Sequence, residues 1–259
     1  MTNTTTAKRR LADVLPMALL GLTAVFCQAA TATPASPDMT QAQTVSDTLS
    51  ARQQAIVPIA AFAAEGDISR LSVALHQGLD AGLTVSDAKE VLVQVYAYAG
   101  FPRSLNALGE LMKVLEARRQ RGIQDAHGNA PSRPIPAGEA LRAAGTANQT
   151  KLVGAPVQGP LFEFAPAIDE YLKTHLFGDI FERDNLDWQS RELATVGMLS
   201  ALPGAESQLQ SHIRISMNVG LTASQLEQLV QVLALRVGAD HARRARVALK
   251  QSLATSSKR

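Results

Sequence analysis

The sequence predicts an all-α fold, and three observations carry that prediction. Apolar residues recur at helical spacing through most of the chain. No segment alternates apolar and polar residues over a strand's length. Hydrophobic residues make up 46% of the 259 positions but aromatics only 4%, a balance rich in Ala and Leu that suits helices rather than sheets. The same balance excludes a disordered or collagen-like chain. Taken in order, helices are predicted over residues 51–65, 69–81, 85–99 and 103–120. They are separated by the turn signals Glu65-Gly66-Asp67, Gly82-Leu83-Thr84 and Gly100-Phe101-Pro102. Residues 122–160 hold six Gly and five Pro, and 122–162 reads as a linker or a long wrapping loop. Helical patterns resume at 163–182, 188–202, 206–219, 223–237 and 239–253.

The two helical halves, 51–121 and 163–255, repeat one another. Gly82-Leu83-Thr84-Val85-Ser86 matches Gly220-Leu221-Thr222-Ala223-Ser224 at an offset of 138 residues. Gly100 and Gly238 follow each motif at the same distance. Upstream, Arg52-Gln53-Gln54-Ala55 matches Arg191-Glu192-Leu193-Ala194. Thr84 and Thr222 suit helix N-caps, with Asp87 and Gln225 three residues on to close a capping box. One period of this length is a duplication, not a solenoid repeat.

Residues 1–32 read as a secretory signal. Lys8, Arg9 and Arg10 form a basic start, Leu11 to Phe26 supplies an apolar run, and Ala30-Thr31-Ala32 resembles a cleavage site. The run is too short, and too interrupted by Asp13 and Pro16, for a membrane span. Residues 33–50 are small and polar, a flexible lead-in. Removal after Ala32 takes the net charge from +2 to 0 and removes Cys27, the one cysteine. The expectation is a periplasmic or secreted protein, with a cytoplasmic protein bearing an unusual tail as the alternative. It has no disulfide framework, no membrane anchor and no electrostatic reason to bind nucleic acid.

Family-level similarity rests on particular residues. Leu176-Phe177-Gly178-Asp179-Ile180-Phe181, Leu186-Asp187, Arg191-Glu192-Leu193-Ala194-Thr195-Val196, Ser211-His212-Ile213-Arg214 and Asn218-Val219-Gly220-Leu221-Thr222 resemble the carboxymuconolactone decarboxylase family. So does Val91 to Leu108, which includes Tyr96-Ala97-Tyr98-Ala99-Gly100-Phe101-Pro102-Arg103. The resemblance implies a small helical fold, usually trimeric or hexameric, so a trimer of two-repeat chains is expected. It also implies cofactor-independent lyase chemistry on a small carboxylated lactone or related acid. In a single-repeat member the His-containing and Tyr-Ala-Gly-Phe-Pro motifs share one repeat. Here they are divided, since Ala74 stands at the place of His212 and Val237-Gly238-Ala239-Asp240 replaces the aromatic segment. A composite site between repeats is therefore expected. Separation of His212 from Tyr96, Tyr98 and Phe101 by more than about 15 Å would exclude it, given helix packing distances of about 8–10 Å.

Each candidate residue has two readings. His212 suits protonation of a carbanion left by loss of CO2, because histidine exchanges protons near neutral pH; otherwise it is a core or interface histidine. Arg191 can clamp a substrate carboxylate and Glu192 can orient His212 or act as a base; otherwise they are a surface Arg and a first-turn acid favouring the helix dipole. Glu206 faces the site or serves a helix N-terminus. Tyr96, Tyr98 and Phe101 line an apolar pocket or pack in the core, with Arg103 as a second anion-binding group. His175 and Asp179 share a helical face, but two ligands do not make a metal site, and no metal or cofactor is expected. The thiol-peroxidase branch of the same superfamily needs a C-x-x-C pair before the histidine. Ala205 and Gln208 hold those positions here. A non-catalytic ligand-binding or structural oligomer is the remaining alternative.

Overall fold

A computed structural model describes residues 47–256, and every regular element among them is helical. The predicted signal segment and most of the lead-in lie outside the described residues. Repeat 1 comprises α1 (Ala51–Glu65), α2 (Ile68–Asp80), α3 (Val85–Ala99) and α4 (Phe101–Gln120). Repeat 2 comprises α8 (Trp188–Ala201), α9 (Glu206–Asn218), α10 (Ala223–Arg236) and α11 (Ala239–Ser256). Between them lie α5 (Glu139–Val153), α6 (Pro160–Phe164), α7 (Pro166–Tyr171) and a π-helix (Leu172–Ile180).

The helix starts have identifiable causes. Thr84 accepts from the Asp87 backbone N–H while Asp87 reaches back to Thr84, and Thr222 with Gln225 does the same. Gly82 and Gly220 precede these caps at φ of 92° and 98°, a left-handed conformation that costs a side chain strain but glycine little. Helix α1 is buried along most of its length and packs most extensively against α8, which is equally buried. A helix apolar all round belongs in the centre of a bundle. One continuous core spans both repeats, including Ile56, Ile59, Leu75, Leu92, Leu193, Met198, Leu209 and Leu229.

The region between the repeats departs from the expected linker. Residues 122–138 are irregular, but 139–153 form a regular helix capped by Gly154 at φ 85°. Its Gly-rich flanks masked an Ala-rich interior. The expected single helix over 163–182 is broken instead. Pro166 cannot donate to a preceding turn and disfavours helical backbone at Ala165, whose φ and ψ are −129° and 71°. Beyond it the backbone widens into the π-helix. Helix α5 packs closely on this element because Gly145 has no side chain; a methyl there would overlap the Lys173 carbonyl oxygen. Asn148 donates to the Phe177 carbonyl (2.9 Å), and Asn218 donates to the Leu152 and Val153 carbonyls (3.0 Å each). The carbonyls left open at the α5 C-terminus are thereby satisfied. A second, smaller apolar cluster of Leu152, Leu176, Phe177, Ile180, Phe181 and Ile215 binds this inserted unit to repeat 2.

Candidate functional site

A cavity of about 500 Å³ lies between the inserted unit and the repeats. Helix α9 supplies Gln208, Ser211, His212, Arg214 and Ile215, and α8 supplies Leu199. Tyr98 comes from α3 of repeat 1, Gln149 and Val153 from α5, and Leu172, Leu176 and Phe177 from the π-helix. The walls are mostly hydrocarbon, with a few polar groups at defined places, as ligand cavities generally are.

The polar pair at its base is built by helix geometry. Asp187 caps α8 by accepting from Ser190 N–H at 2.7 Å. This sets Glu192 in the second turn of a helix buried on all sides, and Glu192 is itself fully buried. Helix α9 buries Leu209, His212, Ile213 and Ser216, the i, i+3, i+4, i+7 stripe of an amphipathic helix. His212 thus occupies a core-facing position and is 8% exposed. Its Nδ1 lies 2.8 Å from Glu192 Oε2. With Nδ1 turned to this carboxylate, Nε2 is the ring nitrogen left over. Glu192 Oε1 is buried without a hydrogen-bond partner among the described residues.

Tyr98 meets this pair from the other repeat. Its ring stands edge-on to His212 with centroids 5.7 Å apart, so the composite arrangement exists within one chain. The Tyr98 hydroxyl is enclosed, with Thr195 beside it. Burial, then the nearby Glu192 charge, push the phenol above its usual range, which keeps it neutral.

Arg191 stands elsewhere. Its fully buried guanidinium donates to Glu90 Oε2 (3.0 Å), the Arg183 carbonyl (2.8 Å) and Gln94 Oε1 (3.3 Å). Burial lowers its pKa and the Glu90 charge opposes that shift. Glu90 also receives a two-pronged contact from Arg183. Burial would raise the Glu90 pKa, but Arg183, Asn185 and Arg191 together hold it below the usual value of 4.5. The expected substrate clamp is therefore a buried tie between the repeats, with no reach into the cavity. Gln94 completes the tie by donating to the Arg191 carbonyl and to Thr195 Oγ1.

The other candidates stand apart from the cavity lining. Arg103 donates to the Ala64 carbonyl at the end of α1, so it closes a helix terminus instead of receiving an anion. Glu206 is exposed and accepts from Gly204 N–H at 3.1 Å, serving the start of α9. Tyr96 and Phe101 stack at 4.5 Å, with His175 edge-on to Tyr96 at 5.3 Å. This aromatic group does not line the cavity, and Phe101 is 61% exposed. His175 on the π-helix meets Tyr96, while Tyr98, two positions on along α3, meets His212. His175 pairs with Asp179 at 2.7 Å. No group of three or more metal-ligating side chains occurs among the described residues.

Two cavity residues escaped the sequence reading. Arg214 is its one permanently cationic lining residue, and it donates to Ser211 Oγ at 3.1 Å. The pattern Ser211-His212-Ile213-Arg214 contains it, but two residues on from His212 it would be expected to face away on a helix. Gln149 is 4% exposed and lies in the segment read as linker. Nothing in that composition marked it.

These features define a class: a duplicated all-α protein with a buried His–Glu pair beneath an apolar cavity. The chain belongs to the carboxymuconolactone decarboxylase family, whose profile matches residues 37–112 and 166–251, one segment for each repeat. It is 30% identical over 78 residues to 4-carboxymuconolactone decarboxylase of Acinetobacter baylyi. That match covers 30% of this chain and 58% of the relative's length.

Proposed function

We propose that the chain is a cofactor-independent carboxy-lyase acting on a small carboxylated lactone or related acid. The observation that carries this reading is the His212–Glu192 hydrogen bond at the wall of a 500 Å³ cavity. The name of the Acinetobacter baylyi relative supports the substrate class. In the reaction the bond between the carboxylate carbon and its neighbour breaks, and CO2 departs. The electron pair enters a conjugated carbonyl, giving an enolate. His212 takes up a proton from solvent at Nε2 and delivers it to carbon, so each turnover consumes one proton. Glu192 holds the imidazole ring in place through Nδ1, and Arg214 is the group suited to a carboxylate at the rim.

The test is CO2 release and proton uptake across a panel of small carboxylated lactones and diacids. His212→Ala and Glu192→Gln should each lower kcat by about 10²–10⁴-fold, with the fold intact. Unchanged turnover in His212→Ala on an accepted substrate removes the assignment.

A thiol-peroxidase reading lacks its chemistry. Ala205 and Gln208 line the same cavity at C-x-x-C spacing before His212, and residues 47–256 contain no cysteine. Export is proposed from the basic and apolar pattern of residues 1–32. Self-association is proposed from Leu161, Phe164, Ile168 and Tyr171, which are large, apolar and exposed on α6 and α7. No helix among the described residues is long and apolar enough to cross a membrane. Mass measurement of protein recovered from the periplasm tests the first proposal, and light scattering the second.

A further inference from the structure

Among the polar side chains that line the cavity, most are already engaged or enclosed. Gln208 accepts from Ser207 Oγ (2.8 Å), Ser211 donates to the Ser207 carbonyl (3.0 Å), Arg214 is held by Ser211, and His212 is bound to Glu192. The Tyr98 hydroxyl is enclosed. Gln149 differs from all of these. It is 4% exposed, it lines the cavity, and its carboxamide forms no hydrogen bond with any described residue. An amide that lines a largely apolar cavity without a protein partner is free to bond a ligand there.

Its position is also fixed. Its neighbour Asn148 is tied to the Phe177 carbonyl, and Asn218 holds the Leu152 and Val153 carbonyls one turn further on. Gly145 seats the helix directly on the π-helix backbone. A donor held rigidly, in a largely apolar cavity and with nothing yet to donate to, is what a developing oxyanion requires.

We propose that Gln149 is a catalytic residue, whose side-chain N–H receives the enolate oxygen formed as CO2 leaves. This rests on the carboxy-lyase reading and assigns the electrophilic half of it. The substrate carbonyl lies against Gln149 on the inserted helix, and the carbon to be protonated lies toward His212 on α9. The C–C electron pair moves into that carbonyl as CO2 departs, the oxygen gains negative charge and the Gln149 hydrogen bond shortens. The proton from His212 then restores the neutral carbonyl. The ligand class so defined is a planar, conjugated carbonyl acid that forms an oxyanion.

Binding of 4-nitrophenolate, read by its absorbance, tests the proposal without depending on turnover. The wild-type protein should bind the phenolate in preference to the phenol. Gln149→Leu and Gln149→Glu should both lose at least about tenfold in phenolate affinity, with unchanged thermal unfolding of the chain. On an accepted substrate kcat should fall by about 10²-fold with KM little altered. Glutamate keeps the shape and the acceptor but loses the donor, so a Gln149→Glu protein with wild-type phenolate affinity overturns the proposal. So does a wild-type protein that takes up no phenolate. If Gln149 variants lose the phenolate while His212→Ala keeps full turnover, the oxyanion site stands and the acid–base assignment of His212 fails.

Discussion

The two repeats share one plan of helices and differ in what they place on it. Thr84 and Thr222 cap α3 and α10 with the same reciprocal hydrogen bonds. Yet where repeat 2 has Glu192 and His212, repeat 1 has Gln53 and Ala74, and Ala74 is simply core at 2% exposure. In the opposite direction, Tyr98 of repeat 1 is matched by Arg236, which donates to Gln77 at 2.8 Å. Their outer faces diverge too. In repeat 1 a cavity of about 510 Å³ beside α3 and α4 is lined by Leu108, Met112, Leu115 and the passing segment 127–131. The same segment's Ala126 and His127 carbonyls accept from the first N–H groups of α3. In repeat 2 the matching groove carries Arg246, Lys250 and Leu253 at the corresponding positions and measures about 330 Å³. The lining of the candidate cavity is thus divided between the halves. Repeat 2 holds the His212–Glu192 pair, repeat 1 supplies a wall and the buried carboxylate that ties the halves together, and the connecting segment forms the roof.

The largest expected effect falls on the pair that only repeat 2 possesses. In a double-mutant cycle of His212→Ala and Glu192→Gln, each single change should cost about 10²–10⁴-fold in kcat. The double variant should cost little more than the worse single one, because the two act as a unit. Additive losses would mean that Glu192 does not work through His212.

Next in size is the tie between the repeats. Glu90→Ala leaves the fully buried Arg191 without its counter-charge and should lower stability by about 3–5 kcal/mol, measured by urea unfolding. The same group sets an acid limit. The Glu90 pKa is depressed in the folded protein. Its contribution is therefore complete above its ordinary value of 4.5 and is lost as pH falls through the lower, folded value. Tm should drop on acidification below about pH 4, given the usual glutamate range, and Glu90→Gln should flatten that slope. An unchanged slope would place the acid sensitivity in other carboxylates.

A smaller effect should separate the roof from the repeats. Gly145→Ala forces α5 off the Lys173 carbonyl, an overpacking cost of about 1–3 kcal/mol. Ligand affinity should weaken while the α1–α8 core keeps its protection in hydrogen exchange. Equal loss of protection in both regions would show that the insert and the repeats unfold as one. Smallest of all, Arg103→Ala removes a side-chain hydrogen bond to the α1 terminus and should cost about 1 kcal/mol, with turnover on an accepted substrate unchanged. A large loss of activity would return Arg103 to the site.

The fold was legible where local signals agree. Caps at Thr84 and Thr222, the Gly82 and Gly220 turns and the helical periodicity placed the eight repeat helices to within a few residues, because capping and periodicity act over one or two turns. The insert was not legible in the same way. Glycines at 138, 145 and 154 read as loop composition, although two of them end α5 and the third lets it approach the π-helix. The proline at 166 breaks a pattern that otherwise reads as one helix.

Site chemistry divides along the same line. The sequence by itself determined the residue types available: a histidine and a glutamate in matching helices, no thiol beyond Cys27, and a duplication that separated His212 from the aromatic motif. Only the tertiary structure decided which of them meet. Arg191 and Glu192 are adjacent in the chain, yet one faces Glu90 across the repeat boundary and the other faces His212, since neighbouring helical residues point about 100° apart. Tyr98 reaches His212 and Tyr96 does not, for the same geometric reason. Gln149 enters the cavity because a glycine one turn before it allows two backbones to touch, a contact between segments distant in sequence that no local pattern encodes.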